Sequence, residues 1–278
     1  MFTSSLESIG AWRAQRLPLA RFAPLAVLIA WAACGSALAS ARGLALVVLA
    51  LSLVAQCRLW DDLVDRNSDR STHPQRLLAA GVASGPFVHA AVVLAAANMI
   101  ALAALRGWPH GLGAAALFGA LALWYRGHRA RGRVHANVLL LKYPAFVLLL
   151  AASPLGTATM AAALIVYAAM CAFELLDSGL ARTPAEPIAF AAHTLAIAVA
   201  PMLLRPGIAA IGSGALCLAL MAIARCTHLL PSPSGRGVGG EGASREAFTA
   251  SSPASPARYL PFVCAAAALF VIHLGVEA

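Results

Sequence analysis

The amino-acid sequence predicts an all-α protein that crosses a membrane about nine times. Three observations carry that expectation. Of the 278 residues, 61% are hydrophobic and 11% charged, with a mean hydropathy of +0.80. A soluble domain needs roughly a quarter of its residues charged to coat its surface, so one or two ordinary globular domains are excluded. Apolar runs near the ~20 residues needed to span a bilayer as a helix recur from end to end. Basic residues, finally, collect in alternate connections between those runs.

Taken in order, the first run covers about 22–40. It follows Arg13, Arg16 and Arg21 and ends in Ala37-Leu38-Ala39-Ser40, which gives it the look of a secretion signal. Because apolar runs continue through the rest of the chain, it reads as an uncleaved first span. The others are expected at about 43–60, 84–105, 109–125, 136–153, 157–176, 185–204, 207–225 and 259–276. Most are rich in Ala and Leu with interspersed Gly, which suits close helix packing in lipid. Residues 226–257 differ: 15 of the 32 are Gly, Pro or Ser, a composition that cannot bury a core. The chain therefore reads as one membrane domain over 1–278 with a flexible cytoplasmic insert at 226–257.

The N-terminal tail and the connections after the even-numbered spans hold 16 basic residues, against three (Arg42, Arg106 and Arg205) on the other side. By the positive-inside rule the N-terminus is cytoplasmic, as in a bacterial-type inner or plasma membrane. The net charge of +9 then marks cytoplasmic loops and not a nucleic-acid partner. The six cysteines lie scattered with no CxxC or CxH spacing, so free buried thiols are expected in place of disulfides or a zinc site.

With only 11 acidic residues in the chain, their positions are informative. Asp62, Asp65 and Asp69 follow spacings of three and four, which places them on one helical face with Asp61 beside them, where the second span ends. Glu174 and Asp177 lie one turn apart where the sixth span ends. Both groups are expected at the same cytoplasmic boundary, since even-numbered spans run in the same direction. Like charges crowded at a helix C-terminus repel one another and oppose the helix dipole. Divalent cations relieve that conflict, and carboxylates completed by phosphate oxygens describe a Mg²⁺ site. The connection after the fourth span adds Arg126, Arg129, Arg131 and Arg133, followed by Asn137. Lys142, the one lysine of the chain, lies inside the fifth apolar run, where a charge calls for a function.

The run Asp61-Asp62-Leu63-Val64-Asp65-Arg66-Asn67-Ser68-Asp69, followed by His73-Pro74-Gln75-Arg76-Leu77-Leu78 and Gly81, resembles the first aspartate-rich motif of the UbiA intramembrane prenyltransferase superfamily. That motif reads N/D-D-x-x-D-x-x-x-D followed by R-P-x-R-P-L-x-x-G. Asp62, Asp65, Asp69, Pro74, Arg76 and Gly81 match it, while His73 stands for an Arg and Leu77 for a Pro. The second motif is reduced to Glu174 and Asp177, where family members usually carry a longer acidic run. The resemblance implies nine helices arranged as in UbiA-type enzymes, and Mg²⁺-dependent transfer of an isoprenyl group from a polyprenyl diphosphate to a small electron-rich acceptor. It implies Asp62, Asp65 and Asp69, with Asp61, as ligands of one Mg²⁺, and Glu174 and Asp177 as ligands of a second. Arg76, Lys142, Asn137 and Arg133 would face the diphosphate, with Arg76 and Lys142 catalytic. Two alternatives remain beside it: a non-catalytic relative of the same fold, and a transporter with an acidic cation site. A CDP-alcohol phosphotransferase would need an Asp-Gly pair, which the chain lacks.

Overall fold

Every apolar run named above falls on helix in the computed structural model, which describes residues 5–127, 133–177, 185–204, 207–229 and 259–274. Among the described residues there is no β-strand. The chain forms two compact units, Met1–Val166 and Tyr167–Ala278.

The first unit opens with α1 (Ser5–Arg16) and α2 (Leu19–Cys34), the latter tightening into a 3₁₀ turn over Gly35–Ala39. Then come α3 (Ala41–Thr72), α4 (Gly85–Arg106), α5 (Trp108–Gly127), α6 (Arg133–Leu140) and α7 (Lys142–Leu150). Helix α8 (Thr157–Asp177) carries the chain from one unit into the other. In the first unit α2 packs on α3 and α7, α3 on α4, and α4 on α5. Ile29, Leu46, Leu53, Leu102, Phe146 and Leu150 are fully buried in these contacts. The outward faces stay apolar: Val48, Val92, Ile100 and Leu123 are each at least 60% exposed. So much exposed hydrocarbon suits lipid and not water. In the second unit α9 (Ala185–Leu204), α10 (Ile208–Leu229) and α11 (Leu260–Leu274) pack on one another.

Five helical segments among the described residues are long and apolar enough to cross a membrane: Leu19–Ala39, Ala41–Thr72, Gly85–Arg106, Thr157–Leu176 and Glu186–Leu204. Asn137–Leu150, Ile208–Ile223 and Leu260–His273 are apolar but shorter. The fifth expected span, 136–153, is not a single helix, because α6 ends at Leu140 and α7 begins at Lys142. Pro144 supplies the physical reason. Its ring lacks an N–H and crowds the carbonyl four residues back, at Leu140, which breaks the ladder there. Lys142 therefore lies at the break between the two pieces, next to Leu141, which keeps helical backbone angles. Of the insert at 226–257, residues 226–229 belong to the last turn of α10, and 230–257 lie outside the described residues.

Helix α3 positions the site. At 1.5 Å per residue its 32 residues extend about 48 Å, well beyond the ~30 Å of bilayer hydrocarbon. Its start is fixed by Ser40, whose Oγ accepts from the Gly43 N–H at 3.0 Å. A Cβ at Gly43 would overlap the carbonyl oxygens of Ala37 and Leu38, so only glycine admits the 3₁₀ turn that close. The helix stops before Pro74, which disfavours helical backbone at His73. The acidic residues occupy its last three turns.

Candidate active site

At about 100° per residue, Asp61, Asp65, Asp69 and Asp62 fan across roughly 100° of α3, with Asp61 and Asp62 at the two edges. Each edge turns toward a different neighbour. Asp61, half-buried, accepts from Lys142 Nζ of α7 at 2.7 Å and from the Tyr125 hydroxyl of α5. The Lys142 side chain is 5% exposed, and its ammonium also lies 5.7 Å from the Tyr143 ring centroid. An ammonium this deeply buried needs an opposite charge, and Asp61 supplies the one that makes the position tenable. The Tyr125 ring lies 5.9 Å from that of Trp60, which holds the phenol beside the pair.

Asp62, at the other edge, is buried against α1. Arg16 donates to both carboxylate oxygens, from Nε at 2.9 and 3.1 Å and from Nη2 at 2.6 Å. The Trp12 indole N–H adds a bond of 2.9 Å, and Arg58 contributes further attraction. Such a fork-shaped, charge-assisted pairing is the strongest arrangement a carboxylate makes with an arginine.

Asp69, also buried, accepts from Arg76 Nη1 at 2.7 Å and lies 3.6 Å from His73 Nδ1. Its main-chain carbonyl accepts the His73 N–H at 2.7 Å, ending the helix. The following segment turns back at Gly81, whose φ of +95° belongs to the left-handed region. Nothing lies within 4 Å of a Cβ built there, so that glycine answers to backbone conformation and not to crowding. Asp65, near the middle of the fan, is exposed.

The sequence-derived residues are thus brought together in part. Asp61, Asp62, Asp65, Asp69, Arg76 and Lys142 share one region of the first unit. Asn137 is exposed on α6. Arg133 heads α6 and Asp177 ends α8, and both side chains lie outside the described residues, as do Arg129 and Arg131. Glu174 is exposed near the end of α8, in the second unit, where Phe173 packs its ring at 5.0 Å from Phe262. Among the described residues no three His, Cys, Asp or Glu side chains gather tightly, because the aspartates are drawn apart toward α7, α1 and Arg76. The donor set nevertheless suits a hard divalent cation, being carboxylate oxygen only. Asp61, Asp65 and Asp69 stand one turn apart, and a cation there would exchange places with the ammonium of Lys142 and the guanidinium of Arg76.

Trp12, Gln15, Arg16 and Tyr125 are not among the site residues that the sequence predicts. Trp12 and Arg16 lie four residues apart on one face of α1, a pattern the sequence contains without saying which carboxylate it meets. No sequence signal marks Tyr125. Comparison of the chain with protein-family models, with curated proteins and with solved structures returned no match.

Proposed function

We propose that this protein transfers an isoprenyl group from a polyprenyl diphosphate to a small electron-rich acceptor, with divalent cation held at the acidic end of α3. The observation that carries this reading is the fan of four aspartates there, with Arg76 and Lys142 beside it. Carboxylates in such number attract a cation, and the two cationic side chains next to them suit a polyanion such as diphosphate. In this reading the nine apolar runs all cross the membrane as in UbiA-type enzymes, with the N-terminus cytoplasmic.

Of the four aspartates expected to hold one Mg²⁺, Asp61, Asp65 and Asp69 would do so while Asp62 stays with Arg16, and the resemblance implies Glu174 with Asp177 as ligands of a second. Bound Mg²⁺ would offset the charge that grows on the leaving diphosphate as its allylic C–O bond breaks. Arg76, released from Asp69, would donate to the diphosphate from its guanidinium, and Lys142 would present a buried positive charge toward the same group. Asn137 and Arg133 would extend the polar contacts. The acceptor carbon takes the prenyl cation and loses a proton, leaving prenylated acceptor, diphosphate and a proton as products. The apolar faces around the site would keep water from the cation.

Incubating the purified protein in nanodiscs with a panel of prenyl diphosphates and aromatic acceptors tests the reading. Diphosphate release that needs Mg²⁺ and falls at least a hundredfold in Asp65→Asn supports it. Release from no donor, or release indifferent to that substitution, removes it. Release from no donor would favour a non-catalytic membrane protein, a reading that draws on the ion pairs already neutralising Asp61, Asp62 and Asp69.

A further inference from the structure

Helix α1 is short, 12 residues, and a helix of that length is marginal in isolation. Its order comes from what it touches. Trp12 enters a buried cluster with Leu59 of α3, Leu78 of the following segment and Phe87 of α4, and Ile9, Leu63, Leu77 and Val82 pack around it. Arg16 and Trp12 direct three N–H groups at the two oxygens of Asp62, with the Arg16 Nε–H shared between both oxygens. With 5% of its surface exposed and its charge paired to Arg16, Asp62 is committed to α1 and turned away from the edge of the fan that Asp61 occupies. Gln15 lies beside this face and grips the main chain twice. Its Nε2 donates to the Gln75 carbonyl at 3.0 Å, and its Oε1 accepts the Leu77 N–H at 3.1 Å. Those two residues flank Arg76.

We infer that α1 is a strap that fixes the Arg76 segment against the acidic end of α3, and that Asp62 anchors the strap and is not a metal ligand. Arg16, Gln15 and Asp62 are then positioning residues. They hold the backbone on both sides of Arg76 at a set distance from Asp61, Asp65 and Asp69, so that a cation and an anionic group bind side by side. The strap itself rests on the contacts above. Its consequence for anion binding rests on the diphosphate reading of the previous subsection.

The test uses the full-length protein in nanodiscs, with Mn²⁺ as a paramagnetic probe, inorganic pyrophosphate as the anion, and amide hydrogen exchange of residues 5–16. Arg16→Ala and Asp62→Asn are expected to lose exchange protection in α1 while Mn²⁺ affinity stays within about twofold. Pyrophosphate affinity of the Mn²⁺-loaded protein is expected to fall about tenfold, the effect typical of lost outer-shell support. Arg16→Lys should recover part of both losses. Gln15→Ala, a surface change that leaves the Asp62 bonds intact, should weaken pyrophosphate binding alone. Asp65→Asn should abolish Mn²⁺ binding with α1 protection unchanged. Loss of Mn²⁺ binding in Asp62→Asn with α1 still protected would overturn the inference, as would full α1 protection in Arg16→Ala. If the wild-type protein binds neither probe, the enzymatic reading falls, and the exchange measurements still decide whether Asp62 anchors α1.

Discussion

Asp61 and Lys142 lie 81 positions apart in the sequence and 2.7 Å apart in space. Nothing periodic in the chain announces that pairing. The sequence does make each residue conspicuous, the aspartate by the scarcity of acids and the lysine by its apolar surroundings. The partner of each emerges only when α7 is laid against α3. Removing one member of a buried pair leaves the other charged and unsolvated, which costs about 3–5 kcal/mol. Lys142→Met should therefore lower the melting temperature in detergent markedly. The double variant Asp61→Asn with Lys142→Met should recover most of that loss, because no charge is then left stranded. A double variant no more stable than the single one would show that Lys142 owes its place to something other than Asp61. Gly81 sits at the opposite extreme: its role was partly legible, since the signature ends in a glycine and the φ of +95° explains why. Gly81→Ala is expected to cost about 1–2 kcal/mol through backbone strain, with no steric component.

At the scale of elements, apolar run length located the helices, and among the described residues five segments are long and apolar enough to cross a membrane. It failed where local chemistry outweighed length. Pro144 divides the fifth run into α6 and α7, and α1 was read as a tail because its stability comes from Trp12 and Arg16 docking on distant residues. The start of α3 offers a sharper case. Ser40 and Gly43 both stand at the tight passage from the 3₁₀ turn into the helix, one as cap and the other as the residue without a side chain. Ser40→Ala should destabilise by about 1 kcal/mol, the usual loss for an N-cap. Gly43→Ala should destabilise further, by about 1–3 kcal/mol, since its methyl would have to displace two main-chain carbonyls. Thermal unfolding of the two variants side by side checks the order. Equal effects would mean that the turn relaxes away from the helix without resistance.

For the whole molecule, the charge is as unevenly divided as the fold. Residues 1–166 contain 14 basic and five acidic residues, and residues 167–278 contain six of each, so the entire net charge of +9 resides in the first unit. Four of those five acids crowd the end of α3, which leaves α2, α4, α5, α6 and α7 without a single carboxylate. In the proposed function the positive-inside bias would orient this cationic unit, and an anionic substrate would be drawn toward its basic margin. The proposed function links orientation to chemistry, since it requires the basic side to be the side from which a charged diphosphate arrives. The segment 230–257, with Arg236 and Arg245, tests this, because the alternation of basic connections in the sequence predicts a cytoplasmic location for it. Trypsin added to inside-out membrane vesicles should cut there, and trypsin added to right-side-out vesicles should not. Cleavage from the outer side alone would place the aspartates away from the cytoplasm and its prenyl diphosphates, and the proposed reaction would lose its donor.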